Sequence, residues 1–126
     1  MNPLDPRFGF EDLEVWQRSV QFSVKIIKTV DRIQTDRKQY RLLEQIESSS
    51  ASVPMSLAEG KGRFSRKEFV HYCYIARGSL YESITLLEIF FRKRWITEEE
   101  HSCLKREGFE IASMIKGLIN AINIRK

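Results

Sequence analysis

The sequence predicts an all-α protein: an antiparallel, up-down-up-down four-helix bundle with a kinked second helix. Three observations carry this. Apolar residues recur every three or four positions from Leu13 nearly to the end, with no strand-like alternation. Two capping boxes, Ser65-Arg66-Lys67-Glu68 and Thr97-Glu98-Glu99-Glu100, mark helix starts. The breaks between apolar stretches are short, which makes successive helices antiparallel neighbours. A chain of 126 residues with 42% hydrophobic content is one domain, and six glycines with three prolines argue against a loop-rich chain. Residues 1–11 are expected to form an N-terminal arm and residues 12–126 the single bundle domain.

The first helix is expected near 12–34. It has two offset stripes, Leu13, Trp16, Val20, Val24 and Ile27 on one and Val15, Phe22, Ile26, Val30 and Ile33 on the other. After the polar break QTDRKQ, a second helix starts at about Lys38. Its later part, SSSASVPMSLAEGKGRFS from Ser48 to Ser65, reads as either a loop or a helix with a close neighbour. Pro54 deprives the Ser50 carbonyl of its helical partner, at a cost of about 3 kcal/mol. The side-chain register nevertheless persists across it: Leu43, Ser50 and Leu57 are seven apart, as are Ile46 and Val53. A bent but continuous helix keeps such a register. Gly60 is read as the end of that helix.

The third helix starts at Ser65, with Phe64 and Phe69 at the two hydrophobic-staple positions. Phe69, Tyr72, Cys73, Ala76, Leu80, Leu87 and Phe90 share one face, and the helix ends near FFRKRW. If the second and third helices turn back at GKGRF, Ser50 meets Ala76 and Ser48 meets Gly78. Small residues then face small residues, which would offset the roughly 1 kcal/mol that glycine costs inside a helix. The fourth helix starts at Thr97, its three glutamates placed favourably against the helix dipole. Leu104, Ile111, Ile115, Leu118 and Ile122 follow.

Several function classes are disfavoured. No apolar run approaches the roughly 18 residues of a membrane span, and the N-terminus lacks the layout of a secretory signal. Two cysteines fit a reducing compartment, so a cytoplasmic location is expected. The pairs His71/Cys73 and His101/Cys103 resemble metal-ligand fragments, but residues two apart on a helix point to nearly opposite sides. Cys73 is expected in the core and the histidines at helix margins. EGKGR lacks the phosphate-loop pattern. No catalytic residue, metal or cofactor is assigned. Arg77 lies beside the small run and is either solvent-exposed or partly buried with Glu82 or Glu59 as its partner.

The net charge is +4 and the pI about 9.2. The cations gather by position. One bundle end collects Arg37, Lys38, Arg41, Arg92, Lys93 and Arg94. The other collects Lys61, Arg63, Arg66, Lys67, Arg125 and Lys126, with Arg7 near them. Such clusters can hold phosphates, although acids lie close by, Asp31, Asp36 and Glu98 to Glu100 at the first end and Glu59 and Glu68 at the second.

The segments FEDLEVWQRS (Phe10 to Ser19), LLEQIESSSASVPMSLAEGKGRFSRKEF (Leu42 to Phe69) and IARGSLYES (Ile75 to Ser83) resemble the four-helix-bundle family of proteins encoded in intervening sequences of bacterial 23S ribosomal RNA genes. That family includes proteins labelled S23 ribosomal protein. The sequence is also similar in type to the accessory variability protein of diversity-generating retroelements. The resemblance spans roughly residues 10 to 122, and its motif residues here are Glu59, Gly60, Arg77, Gly78, Ser79 and Glu82. The chain departs from the pattern at Ser56-Leu57, where Asn-Ile is frequent, and at Glu47, where a base is common. The resemblance implies a ring-shaped homo-oligomer, most often a pentamer, without enzymatic activity. The retroelement relative binds nucleic acid and its reverse transcriptase, which implies RNA, DNA or such an enzyme as partners. Exposed Tyr74 and Tyr81, or the extra stripe of the first helix, would then supply the subunit contact. Three readings stay open: a nucleic-acid-binding oligomer acting through its basic ends, a protein-binding scaffold, and a small hydrolase or metal enzyme.

Overall fold

The computed structural model describes residues 6–35 and 39–124. A short 3-10 turn, Gly9–Asp12, precedes four helices: α1 (Glu14–Asp31), α2 (Tyr40–Lys61), α3 (Arg66–Arg92) and α4 (Glu98–Ile124). The backbones approach closely from α1 to α2, α2 to α3, α3 to α4 and α4 back to α1, and not across the diagonals among the described residues. This is the expected antiparallel four-helix bundle. Among the described residues no helix is long and apolar enough to cross a membrane.

The core is drawn from the stripes the sequence shows. Phe22 and Ile26 of α1, Ile46 and Leu57 of α2, Leu80 and Phe90 of α3, and Ile111 and Ile115 of α4 are fully buried. On α1 the stripe through Val15, Phe22, Ile26 and Val30 is buried, whereas Leu13, Trp16, Val20 and Ile27 are half-buried and Val24 is exposed. Phe10 of the 3-10 turn covers part of this second stripe, its ring 5.1 Å from that of Trp16.

Helix ends follow the capping logic in part. At Thr97 both arms of the box form: the Thr97 N–H donates to the Glu100 carboxylate at 2.9 Å, and the Glu100 N–H donates to Thr97 Oγ1 at 3.0 Å. Glu100 also accepts from Arg32 beyond the end of α1, so one carboxylate joins two helices. At Ser65 one arm is seen, the Glu68 N–H donating to Ser65 Oγ at 3.2 Å. The expected staple is absent. Phe69 is half-buried, but Phe64 is 108% exposed relative to a free residue. α3 closes in a Schellman motif: the Trp95 N–H reaches the Phe90 carbonyl at 2.9 Å and the Phe90 and Trp95 rings lie 5.2 Å apart. The left-handed residue of that motif, usually glycine, is Arg94 at φ 62°.

α2 runs through Pro54 as one helix, with Pro54 buried. Small residues do meet across the helices, but in another register. Ser49 Oγ lies 2.7 Å from Ser83 Oγ, and Ser52 Oγ 2.8 Å from Ser79 Oγ. The expected register would have set Ser49 against Arg77 and Ser52 against Tyr74. Ser50 turns instead to α1, 3.3 Å from Ser23 Oγ. The cause lies at the turn. Residues 61–68 are all exposed, so the first turn of α3 projects past α2 and packing begins only at Gly60 against Phe69 and Tyr72. Two glycine expectations change with it. Gly78 is exposed, and a Cβ there would meet nothing within 4 Å. Gly60 does not end α2, which continues to Lys61 with Gly62 as its cap. A Cβ on Gly60 would lie 2.7 Å from Tyr72 Cβ and 3.3 Å from the Phe69 carbonyl oxygen, so its backbone is one that comes close. Gly108 does the same between α4 and α3, where a Cβ would lie 2.5 Å from Ile84 Cδ1.

Candidate functional site

The projecting α2–α3 turn brings together Lys61, Arg63, Arg66 and Lys67, all exposed. Arg63 is already engaged. Its guanidinium donates to Glu59 at 2.7 Å and to the Tyr72 hydroxyl at 2.7 Å, and stacks 5.0 Å from the Tyr72 ring centre. The Glu59 hydrogen bond pushes its pKa further up, deeper into the charged range. The Lys61 ammonium sits 5.8 Å from the Phe69 ring centre. Lys61, Arg66 and Lys67 form no ion pair among the described residues. Arg7, on the same side of the bundle, is held by Asp12 at 2.6 Å. Arg125 and Lys126 lie outside the described residues.

The opposite end groups Arg41, at the start of α2, with Arg92, Lys93 and Arg94 at the end of α3, all exposed. Arg92 donates to Glu88 at 2.9 Å, and this hydrogen bond holds the Glu88 carboxyl below its ordinary range. Glu98, Glu99 and Glu100 open α4 beside them. Arg37 and Lys38 lie outside the described residues. Of the acids expected to offset each basic cluster, Asp36 lies outside the described residues; Asp31 and Glu98 to Glu100 stand at the first end and Glu59 and Glu68 at the second. At the α2–α3 turn, however, Glu59 is committed to Arg63.

The motif residues separate. Glu59 and Gly60 support the turn. Arg77 is exposed, donates to the Tyr81 hydroxyl at 2.9 Å and lies 4.9 Å from that ring's centre. Neither Glu82 nor Glu59 is its partner. Glu82 accepts instead from Gln45 of α2 at 3.0 Å. Ser79 bonds Ser52, and Gly78 faces open space.

The flank between α3 and α4 carries a groove of about 720 Å³. Tyr74 and Tyr81 stand exposed on one wall and Phe109 on the other, at 52%, 49% and 73%. Arg77, Lys105 and Lys116 edge it, and Gly108 opens its floor. The two tyrosines were expected at the surface. Phe109 and Gly108 were not singled out, although Gly108 interrupts the Leu104, Ile111, Ile115 stripe at a position where a large side chain would be expected.

His71 is exposed and Cys73 buried, whereas His101 is buried and Cys103 exposed, as opposite helix faces demand. Burial pushes the Cys73 thiol up to about 11 and leaves it an inert core group. His101 is not at a margin. The start of α4 folds it over the end of α3, where it stacks 4.6 Å from Phe91, its Nε2 3.3 Å from Glu88 without hydrogen-bond geometry. Among the described residues no group of three or more His, Cys, Asp or Glu side chains could hold a metal ion.

The bundle is similar to a crystal structure of a protein of unknown function from the S23 ribosomal protein family of Bacteroides thetaiotaomicron. The TM-score is 0.78 at 24% identity, over 84% of this chain and 95% of that one. That likeness shows the fold. No curated protein matches the sequence. The family model described as 23S rRNA-intervening sequence protein matches residues 11–117, a span that runs from the 3-10 turn through most of α4 and contains the basic turn and all of the groove's lining but Ile119 and Asn120. The chain therefore belongs to the 23S rRNA-intervening sequence protein family.

Proposed function

We propose that this protein is a non-enzymatic, homo-oligomeric bundle that binds RNA or DNA through the cations of the α2–α3 turn. The observation that carries the reading is that Lys61, Arg66 and Lys67 project from one turn without an ion pair among the described residues. Charges already matched by carboxylates gain little from a phosphate. Unmatched ones gain electrostatic attraction and release the counterions of the nucleic acid. The opposite end is the weaker candidate, because Arg92 is bound by Glu88 and three glutamates stand beside it.

Self-association is supported by two apolar flanks. Arg18 and Lys25 pair with Glu110 and Glu107, which fixes the α4 side of α1. Trp16, Val20, Val24 and Ile27 fall on the other side, along the α1–α2 flank. The aromatic groove lies on the opposite flank, between α3 and α4. Two different faces on separate flanks make a head-to-tail contact, which closes into a ring or runs on as an open filament according to the rotation between subunits. The groove also favours a second reading, a scaffold that seats a different protein or an accessory partner such as a reverse transcriptase.

Electrophoretic mobility of labelled RNA and DNA at several salt concentrations tests the leading reading. Binding should weaken steeply with salt. The double variant R66A/K67A should lower the slope by about 1.4 on single strands, at about 0.7 for each phosphate no longer neutralised. No shift at low salt with the protein intact rules it out. A single protein recovered on the bundle after nuclease treatment would instead support the scaffold.

A further inference from the structure

Resting on that nucleic-acid reading, we infer that Phe64 is a stacking platform for an unpaired base, so that the α2–α3 turn takes single-stranded in preference to duplex nucleic acid. Among the described residues Phe64 is the most exposed of the large apolar side chains, at 108%. An aromatic ring of this size ordinarily buries itself, and its position before the Ser65 cap offers it Phe69 as a staple partner. The structure declines that contact and holds the ring at the apex of the projecting turn, with Arg63 before it and Arg66 and Lys67 after it. An exposed ring followed by the unmatched cations Arg66 and Lys67 is the arrangement that binds single strands: bases stack on the ring while phosphates meet the charges. Stacking requires a free base face. In a duplex those faces are buried between neighbouring pairs, so a ring on a convex turn can reach only the phosphates. A second ring stands at the same end. The 3-10 turn lies against α2, where a Cβ on Gly9 would sit 3.8 Å from the Lys61 side chain, and Phe8 beside it is exposed.

The test is fluorescence anisotropy of the full chain with a labelled oligonucleotide of about twelve nucleotides, single-stranded and as the duplex of the same sequence. Wild type, F64A, F64Y and R66A/K67A are compared. Wild type should bind the single strand more tightly. F64A should weaken single-strand binding about five- to a hundredfold, leave duplex binding and the salt slope unchanged, and be rescued by F64Y. Because Phe64 packs on nothing, F64A should keep the helical circular dichroism of the wild type. Equal affinity of F64A and wild type for the single strand, equal losses on both substrates, or tighter wild-type binding to duplex would each overturn the stacking role and leave the electrostatic reading standing. Wild type that binds neither substrate at low salt overturns both.

Discussion

At Gly60 a Cβ would have to enter space already held by the Cβ of Tyr72, whereas at Gly78 it would meet nothing. Both glycines sit inside helices, and both cost conformational entropy in the unfolded chain. They should therefore answer oppositely to the same substitution. Gly60→Ala is expected to destabilise the fold by about 1–3 kcal/mol, the cost of overpacking. Gly78→Ala should stabilise it by about 0.5–1 kcal/mol, the ordinary helix preference for alanine. Urea denaturation of the two variants checks this; loss of stability in G78A or none in G60A would contradict the packing described. The sequence marks Gly78 as the site of close approach and Gly60 as a helix end. Which one is close depends on the register between helices, and register follows from how far the turn projects, which local sequence does not specify.

At the scale of elements, helix starts were the most legible part of the chain. A box such as Thr97 to Glu100 is satisfied within four residues, so short-range chemistry suffices to predict it. The staple at Phe64 failed because it needs the chain to enter the helix at one particular angle, and that angle is set by packing elsewhere. The end of α3 was legible only coarsely. Its Schellman motif places Arg94, rather than glycine, in left-handed backbone. A side chain there carries a steric penalty of roughly 1–2 kcal/mol. Arg94→Gly should recover part of it and raise stability by about 1 kcal/mol, measured by thermal or denaturant unfolding. An unchanged or lower midpoint would mean that the Arg94 side chain makes contacts worth as much as the strain.

For the whole molecule, the bundle was readable because stripes of period 3.6 and short breaks leave few arrangements for four helices. The candidate surfaces were readable as lists of cations, but not as surfaces. The ion pairs that separate engaged from unengaged charges, Arg63 with Glu59 and Arg92 with Glu88, depend on rotamers and neighbours. The α3–α4 groove likewise needs two helices brought together over Gly108. The proposed head-to-tail assembly makes its own prediction. Light scattering of the wild type should give a mass several times that of one 14.9 kDa chain. Phe109→Glu, which puts a charge in the groove without touching the core, should reduce it towards the single-chain value while the helical signal persists. A wild type that scatters as one chain would end the proposal.

The hydroxyl pairs Ser23–Ser50, Ser49–Ser83 and Ser52–Ser79 bear on uniqueness rather than on strength. Aliphatic surfaces tolerate sliding, since one methyl group replaces another at little loss. Hydroxyls do not: slipping one rod past its neighbour by a turn would strand these oxygens away from their mates, in places water reaches poorly. The small polar residues thus act as a detent, holding the hairpin at one setting and penalising the swapped or offset packings that a purely greasy seam would permit.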